Sequence, residues 1–466
     1  MKNFHLFAVA IIILISSCRK IEVDGTPNNS TGGGTTENVI LEGRITSNRT
    51  LKKDYVYKLR GLVYVTNGAV LTIEPGTKIV GELGRNGGLI ITRSSKIIAD
   101  GTADNPIVFT SESTTPTRGD WAGLVLLGNA PTNASFNGQA GIGEIEGGIN
   151  NSDGLGLYGL GTSSNPADNS GILRYVRIEY AGYAFLPDKE INGLTLGGVG
   201  NQTVIDYVQV AYANDDSFEW FGGTVNCKHL IAYKGLDDDF DTDNGFSGKV
   251  QFAIGFRDSA VADISGSNGF ESDNDASGSA TTPQTSAIFS NVTLVGPRAT
   301  LTNVGNSNFK RGIHIRRNSA LSVFNSIVMG WPTGWLLDAS TGTPTDNNLT
   351  ALTPKSVFAN NIIAGNNTQL NYTASTSAPT GWTATDFTNY MNRLGGGNAL
   401  LTTAAEVMLA DPFKYDNTVD FNPLMASPVL SAADFTNPKV ASWFTATSYV
   451  GACSDTDTWW KVWTKF

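Results

Sequence analysis

The chain is poor in the residues on which most catalytic and metal-binding motifs depend. Its 466 residues include three cysteines and three histidines. They form no C-x-x-C pair and no H-E-x-x-H motif, and the chain has no G-x-S-x-G elbow around a nucleophilic serine. These absences exclude the zinc, dithiol and serine-hydrolase sites that those motifs build, so any chemistry must come from other side chains.

Long apolar runs are also missing, except at the N-terminus. Lys2 precedes an apolar stretch over residues 4–15, and residues 15–18 (ISSC) match a lipobox. The run is too short to span a bilayer as a helix. We therefore predict that residues 1–17 are a lipoprotein signal peptide and that Cys18 carries the lipids. The alternative is an ordinary cleaved signal in which Cys18 is incidental.

Residues 18–38 are predicted to be a flexible tether between the lipid and the folded body. Residues 27–34 read PNNSTGGG and offer nothing that a core could bury. A coil of this length has a typical reach of about 25 Å. The folded domain is expected to occupy residues 39–466.

The charged residues 19–24 (RKIEVD) resemble the export signal that follows the lipidated cysteine in Bacteroidota-type bacteria. This resemblance implies a lipid-anchored protein of the outer membrane, on the cell surface. Outer-membrane transport proteins would then be candidate partners.

The charge balance restricts the partners further. The chain has a net charge of −10, and removal of residues 1–17, with one lysine and no acid, leaves −11. This disfavours nucleic acid and anionic lipid headgroups, and it suits cations or neutral polymers. Cys227 and Cys453 are too few for a disulfide scaffold, so we expect two separate buried thiols rather than a pair.

A repeat of 22 residues runs through the middle of the chain. Residues 215–220 (DDSFEW) align with residues 237–242 (DDDFDT), and the segments at 207–210, 229–232 and 251–254 follow nearly the same step. A short period of β-rich pieces with Gly, Asn and Asp at the corners indicates a solenoid. We predict an all-β fold, a right-handed parallel β-helix with capped ends. The alternative, a β-propeller, would need a period nearer ~40–50 residues.

The C-terminal aromatic residues are expected to close the open end of this solenoid. Trp459, Trp460, Trp463 and Phe466 lie in a predicted capping segment of about residues 395–466. An uncovered end would expose strand edges and core side chains. The alternative is that these rings stack on sugars.

Aligning the coils places acidic residues in columns. The inward residues are expected to be Leu194, Phe218, Phe240, Phe270 and Ile313. Because side chains alternate along a strand, the next residue of each coil points outward. That outward column is Thr195, Glu219, Asp241, Glu271 and His314, and the column two residues further on is Phe221, Asp243, Asp273 and Arg316. At the coil spacing of about 4.8 Å, two carboxylates repel by roughly 3.5 kcal/mol at an effective dielectric of about 20.

Such crowding is relieved by a cation, by raised pKa values or by pairing with bases. In the first interpretation, Asp241, Asp243, Glu271 and Asp273 coordinate Ca²⁺, which prefers carboxylate and carbonyl oxygens. The wider ligand-binding surface would then comprise Glu219, Asp241, Asp243, Glu271, Asp273 and Arg316. No cofactor other than Ca²⁺ is indicated.

Two further interpretations stay open. Asp241, Glu271 and His314 are candidates for acid/base catalysis on a glycan, as paired carboxylates perform in glycosidases. In the third interpretation the acids form a solvated structural ladder, and His314, Arg316 and Arg317 neutralise its end.

The chain resembles a widespread bacterial family of secreted and lipid-anchored β-helix proteins. The segments that carry the resemblance are 71–79, 105–111, 119–124, 190–196, 215–226, 237–248, 265–275, 449–453 and 459–464. The resemblance implies the β-helix fold and an envelope location, and it implies no activity. Cys453 replaces an aromatic residue of the family pattern, which indicates a buried position.

Taken together, the sequence predicts an envelope lipoprotein that binds an extracellular polymer, a glycan above all, or supports its uptake. The acidic face of the β-helix, with or without Ca²⁺, would be the binding surface. The alternatives are a polysaccharide lyase or glycoside hydrolase of β-helix type, and a structural adhesin or envelope spacer.

Overall fold

Successive turns of the chain stack as parallel strands with a regular register. The computed structural model describes residues 38–185, 190–303 and 305–466. Within them, 26 strands join in one sheet, and the strands that pair come from successive coils and run parallel. Glu219 pairs with Asp241 on the next coil, as the 22-residue step predicts. The fold is therefore a parallel β-helix, and the prediction of the fold class is confirmed.

One set of strands, called ladder 1, carries the acidic residues. Its strands are Gly88–Ile91, Gly123–Leu127, Leu194–Gly197, Phe218–Phe221, Phe240–Asp243, Asn268–Ser272, Arg311–Ile315, Thr333–Asp338 and Thr368–Thr373. The residues predicted to face inward along it, from Leu194 to Ile313, are fully buried or nearly so. The rings of Phe218 and Phe240 stack with centroids 5.5 Å apart. Burial of each such ring contributes about 1.5–3 kcal/mol, so this column anchors ladder 1 to the core.

The remaining walls of the β-helix form a second set, called the bent ladder. Its strands are Asn38–Ile45, Arg49–Leu51, Val56–Val65, Val70–Ile73, Lys78–Gly81, Lys96–Asp100, Ile107–Ser111, Gly171–Glu179, Val204–Ala211, Asn226–Tyr233, Lys249–Phe256, Ile288–Val295, Ser322–Phe324, Ile327–Met329, Phe358–Ala359, Ile362–Ala364 and Ala399–Leu401. The chain turns a corner, within the longer strands or between two short ones, at residues with positive φ, which are Tyr175, Tyr207, His229, Phe252, Asn291, Asn325 and Asn360. Asn tolerates this conformation, whereas bulky rings are strained in it. The rings stack on one another, Tyr207 and His229 with centroids 4.1 Å apart, and this contact offsets the strain.

The C-terminal segment lies along this corner rather than over the end of the solenoid. Gln209 exchanges hydrogen bonds with the backbone of Lys465, and Gln251 does so with Thr445. Arg177 donates to the carbonyl of Trp463. The expectation that the C-terminal tryptophans close the open end is therefore wrong. Their rings pack instead on the partly apolar surface that the stacked corner residues form.

A short helix closes the C-terminal end of the core instead. Helix Ala384–Met391 begins at Thr383, whose side chain and Asp386 form a capping box. Its buried residues Phe387 and Met391 join the main core cluster.

The outward face of ladder 1 is covered over its first coils. Ile145, Ile149, Tyr158 and Ile191 pack against outward residues such as Phe221 and form a second apolar cluster. These residues belong to the irregular stretch between the strands that end at Leu127 and begin at Leu194. The interpretation of the acids as a solvated ladder does not fit Glu219, Asp273 and His314, which are buried.

The other elements are short. Antiparallel pairs join Ser135–Phe136 to Gln139–Ala140, Gly143–Glu144 to Leu157–Tyr158, and Leu409–Asp411 to Asp420–Pro423; the remaining helical turns are Gly161–Ser163, Asn347–Thr350, Ala404–Val407 and Pro428–Ser431. No helix of the described ranges is long and apolar enough to cross a bilayer. Cys227 and Cys453 are buried free thiols, as predicted. The predictions for residues 1–17, for Cys18 and for the tether up to residue 37 lie outside the described residues.

Candidate functional site

The outward column of ladder 1 keeps an unbroken register and changes along it from apolar to acidic residues. Ile90, Val125 and Thr195 precede Glu219, and each pairs with the next. Glu219 is followed by Asp241, Glu271 and His314. The five residues that the alignment placed in this column, from Thr195 to His314, are therefore brought together as predicted. The column divides into a neutralised end and an end without counter-charge.

At the neutralised end, arginines and a histidine pair with the acids. Arg316 donates through Nε to Oδ1 of Asp273 at 2.7 Å and also forms an ion pair with Glu271. Arg317 donates to Oδ2 of Asp273 at 2.7 Å. His314 Nδ1 lies 3.4 Å from Oε2 of Glu271. Burial works to raise the pKa of Glu271, but the contacts with His314 and Arg316 outweigh it and the pKa is lowered.

His314 also connects the column to an acid that sequence reasoning missed. Its Nε2 lies 3.4 Å from Oδ2 of Asp338, which ends the next strand of ladder 1. Burial alone would raise the pKa of Asp338, but His314 and Ser340 stabilise the carboxylate and lower its pKa to about 2. Leu336 occupies the column position itself, so no repeat pattern pointed to Asp338.

The other end of the column has no such partners. Asp216, Glu219 and Asp241 offer one carboxylate oxygen each, all within 4.8 Å of one another. Among the described residues, His314, Arg316 and Arg317 form their ion pairs with Glu271, Asp273 and Asp338 instead. Burial, reinforced by the neighbouring carboxylates, raises the pKa values of these three groups well above the usual carboxyl range.

The turns before the strands add a second group of acids that the predicted site left out. Asp215, Asp216 and Asp237 also bring carboxylate oxygens within 4.8 Å of one another. The backbone N–H of Asp238 donates to Oδ1 of Asp216 at 2.8 Å, which fixes the turn. Burial raises the pKa of Asp237 to about 6 and that of Asp238 well above its usual range. The repeated Asp-Asp pairs of the 22-residue step were the signal for this group.

Asp243 lies at the far end of its strand, beside an open cleft. It is half-buried and accepts from the backbone N–H of Asn244 at 2.6 Å. Burial, with the charge of Asp273, raises its pKa to about 8. The cleft has a volume of about 620 Å³ and is lined by the hairpin residues around Phe136, by Asn133 and Asn244, and by the loop around Asp275. No repeat marked this cleft in the sequence, because its walls come from irregular loops.

The predicted site residues therefore occupy three settings. Glu271, Asp273, His314 and Arg316 form the ion-paired end, and Glu219 and Asp241 lie at the end without counter-charge. Asp243 directly precedes Asn244, which lines the cleft. Of the catalytic candidates, His314 is buried, and Asp241 and Glu271 are half-buried.

Comparisons with known proteins bear on the family. No curated protein matches the chain. Among solved structures, the crystal structure of the Dettilon tailspike protein aligns with 10% sequence identity and a TM-score of 0.29, over 70% of this chain and 62% of that one. The alignment thus spans less than two thirds of the tailspike chain. A family model described as a pectate-lyase-like β-helix domain matches residues 43–405. Because that match covers most of the chain, the protein belongs to the family of pectate-lyase-like β-helix domains.

Proposed function

We propose that this protein binds an extracellular polysaccharide along the outward side of ladder 1, with the cleft beside Asp243 as the principal subsite. The observation that carries the proposal is the make-up of this cleft. It combines a half-buried aromatic ring, Phe136, with the polar side chains of Asn133, Asn244 and Ser277. Sugars are bound by such combinations, because hydroxyl groups need hydrogen-bonding partners while the C–H faces of the ring pack on aromatic side chains.

Asn133 is held rigidly in the wall of the cleft. Asn133 donates through Nδ2 to the carbonyl of Asn274 at 2.8 Å, and this fixes its side chain. Its Oδ1 is buried and has no hydrogen-bonding partner in the described structure. Asn133 is therefore a fixed polar part of the cleft wall, and its unsatisfied acceptor costs about 1–3 kcal/mol.

The class of polymer follows from charge and family. The net charge of −10 repels anionic chains, so a neutral polysaccharide is the better ligand. Membership in the pectate-lyase-like family supports a polysaccharide over other polymers. A lipid on Cys18 and the tether that follows it would hold the β-helix at the outer-membrane surface. There the protein would pass the polymer to outer-membrane transport partners.

Binding can be tested with the full chain on a panel of neutral and acidic polysaccharides, by affinity electrophoresis. We expect retardation by a neutral polymer, and Phe136→Ala should weaken it at least tenfold. Trp443→Ala, which removes an exposed ring of the C-terminal segment, is the matched control and should leave retardation unchanged. Retardation by no polymer would overturn the proposal and leave a structural spacer.

A polysaccharide lyase or hydrolase is the second candidate function, and the position of Asp243 favours it. This carboxylate is half-buried next to the cleft, and in the described structure it has no ion-pair partner. Cleavage would appear as new reducing ends or unsaturated sugars in the polymer that binds. If Asp243→Asn abolishes cleavage but keeps binding, the protein is an enzyme; if the native chain releases no products, it is a binding protein.

A further inference from the structure

Asparagine followed directly by glycine is a chemically fragile pair, because the backbone nitrogen of the glycine can attack the amide carbon of the asparagine side chain. The glycine has no Cβ to hinder the approach. The chain contains this pair at Asn67, Asn86, Asn137, Asn192, Asn244 and Asn268. The attack requires the main chain to leave its folded conformation locally, so the structure decides which of the six pairs reacts.

Two of the six pairs are protected by burial. Asn192 and Asn268 are each only 1% exposed. The side-chain amide of Asn192 donates to Glu219, and the backbone N–H of Gly193 donates to the carbonyl of Asp216 at 2.9 Å. The amide of Asn268 donates to the carbonyl of its near neighbour Gly266 at 3.1 Å. Neither pair can react unless the coils around it open.

The pair at Asn244 is protected by hydrogen bonds to both reacting groups. Its side-chain amide donates to Oδ2 of Asp243 at 3.2 Å. The backbone N–H of Gly245 donates to Oγ1 of Thr285 at 2.9 Å. The nitrogen that would attack and the amide that would leave are therefore both engaged.

The pairs at Asn67 and Asn86 lie in turns between strands that are stacked within the β-helix. Asn67 lies between Val56–Val65 and Val70–Ile73, and both strands pair with coils on either side. Asn86 precedes Gly88–Ile91, which is likewise paired on both sides. Opening either turn would therefore disturb its neighbouring coils.

The pair at Asn137 has no such support. Asn137 is exposed, and with Gly138 it forms the two-residue turn between Ser135–Phe136 and Gln139–Ala140. Both turn residues have positive φ, 49° and 77°, as a type I′ turn requires. In the described structure the two short strands pair only with each other, and a Cβ on Gly138 would meet no atom within 4 Å. An isolated two-stranded hairpin is marginally stable, so this turn opens at little cost.

We propose that Asn137 is a site of spontaneous deamidation. The nitrogen of Gly138 forms a bond to Cγ of Asn137, the bond from Cγ to the amide nitrogen breaks, and ammonia leaves with the proton of the Gly138 N–H. Water then opens the cyclic imide at one of its two carbonyls and leaves aspartate or isoaspartate at position 137. The net reaction consumes one water molecule and releases one ammonia molecule.

Deamidation would change the hairpin that carries Phe136. Both products add a carboxylate that is ionised at neutral pH. Isoaspartate also adds one carbon atom to the main chain, which disturbs the pairing of Phe136 with Gln139 because the turn fixes the register of a hairpin. Phe136 lines the cleft, so the shape of the cleft would change as the molecule ages. The reaction itself does not depend on polysaccharide binding.

The test is to incubate the full, folded chain at mildly alkaline pH and to follow each Asn–Gly peptide by mass spectrometry. The gain in mass reports loss of the amide, and enzymatic methylation identifies isoaspartate. We expect Asn137 to convert about tenfold or more faster than Asn244, and also faster than Asn67. The rate should rise with pH, because the attacking nitrogen must lose its proton. Asn137→Gln, whose longer side chain disfavours the five-membered imide, should leave that peptide unmodified and the others unchanged.

Unfolding separates the effect of the structure from that of the sequence. In guanidinium chloride, all six pairs should convert at similar rates, because the hydrogen bonds and the stacked coils are then lost. The proposal is overturned if Asn137 stays intact in the folded chain while the same peptide converts in guanidinium chloride. It is also overturned if Asn67 or Asn244 converts as fast as Asn137 in the folded chain.

Discussion

Arg257 and Asp239 form an ion pair in which neither side chain is exposed to solvent, with Nη1 and Oδ1 2.7 Å apart. Asp239 precedes the ladder 1 strand Phe240–Asp243, and Arg257 follows the bent-ladder strand Lys249–Phe256. Arg257 also donates to the carbonyl of Leu236 at 3.1 Å. The pair therefore joins two walls of the β-helix from inside.

Breaking this pair should destabilise the protein strongly. Arg257→Met leaves Asp239 buried without its counter-charge, and we expect a loss of about 3–5 kcal/mol in the free energy of unfolding. Urea unfolding followed by tryptophan fluorescence measures it. The double variant Asp239→Leu/Arg257→Met should be more stable than Arg257→Met alone, because no charge is then left buried. Equal or greater loss in the double variant would contradict this account.

Arg316 should be the main support of the neutralised end of the column. Arg316→Ala removes one ion-pair partner from each of Glu271 and Asp273, and we expect a loss of about 3 kcal/mol in urea unfolding. Arg174→Ala is the control, because the pair of Arg174 with Asp100 is much more exposed. It should cost less than about 1 kcal/mol. Equal losses in the two variants would show that burial of the Arg316 pair is unimportant.

Asp338 should make stability depend on pH in the acid range. Its folded-state pKa of about 2 is below the ordinary value of 3.8, so it stabilises the fold above the ordinary value and loses this effect as pH falls toward 2. The shift corresponds to about 2 kcal/mol at neutral pH. Asp338→Asn should therefore lower stability at pH 7, with a difference from the native chain that shrinks below about pH 4. Asp153→Asn, at an exposed carboxylate, should show no comparable change.

The C-terminal segment should depend on Trp463. This ring is buried and packs edge-on against Tyr175 and Tyr207, with centroids 5.9 and 6.1 Å away. Trp463→Ala should cost about 3–5 kcal/mol and speed hydrogen exchange in residues 434–466. Trp443→Ala, at a partly exposed ring of the same segment, should leave exchange near Trp463 unchanged. Unchanged exchange in the Trp463 variant would mean that backbone hydrogen bonds alone hold the segment.

Membrane attachment is predicted to rest on Cys18. Cys18→Ser removes the acceptor of the lipids, so the protein should move from the membrane fraction to the soluble fraction. Fractionation followed by immunoblotting measures this. Ser17→Ala is a suitable control, because it keeps the lipobox pattern of small residues before the cysteine. Retention of the Cys18→Ser protein in the membrane fraction would refute the anchor.

The parts of the fold that could be predicted were those that repeat. The 22-residue step and the alternation of side chains were enough to pair Glu219 with Asp241 and to bury Phe218 and Phe240. The sequence also indicated that Arg316 and Arg317 neutralise one end of the column, because they come after the acidic residues in the chain. Periodicity alone carries this information, since each coil repeats the environment of the last.

What could not be predicted came from contacts between irregular segments and distant coils. Asn192 reaches Glu219, and Phe136 lines the cleft near Asp275, through loops that share no repeat with the coils. Their placement depends on three-dimensional packing, as does the path of the C-terminal segment. The sequence therefore predicted an exposed acidic column, whereas part of this column is covered in the structure.

The stacked corner of Tyr175, Tyr207 and His229 has a consequence for the order of folding. Each coil forms from residues close in sequence, but Arg177 meets Trp463 across 286 residues. Contacts of such high sequence separation form late, because the entropy of closing the loop must be overcome first. During synthesis from the N-terminus, the stacked aromatic residues of this corner would therefore stay exposed until the last residues of the chain are made. Truncated chains should leave these aromatic residues exposed and should therefore be prone to aggregation.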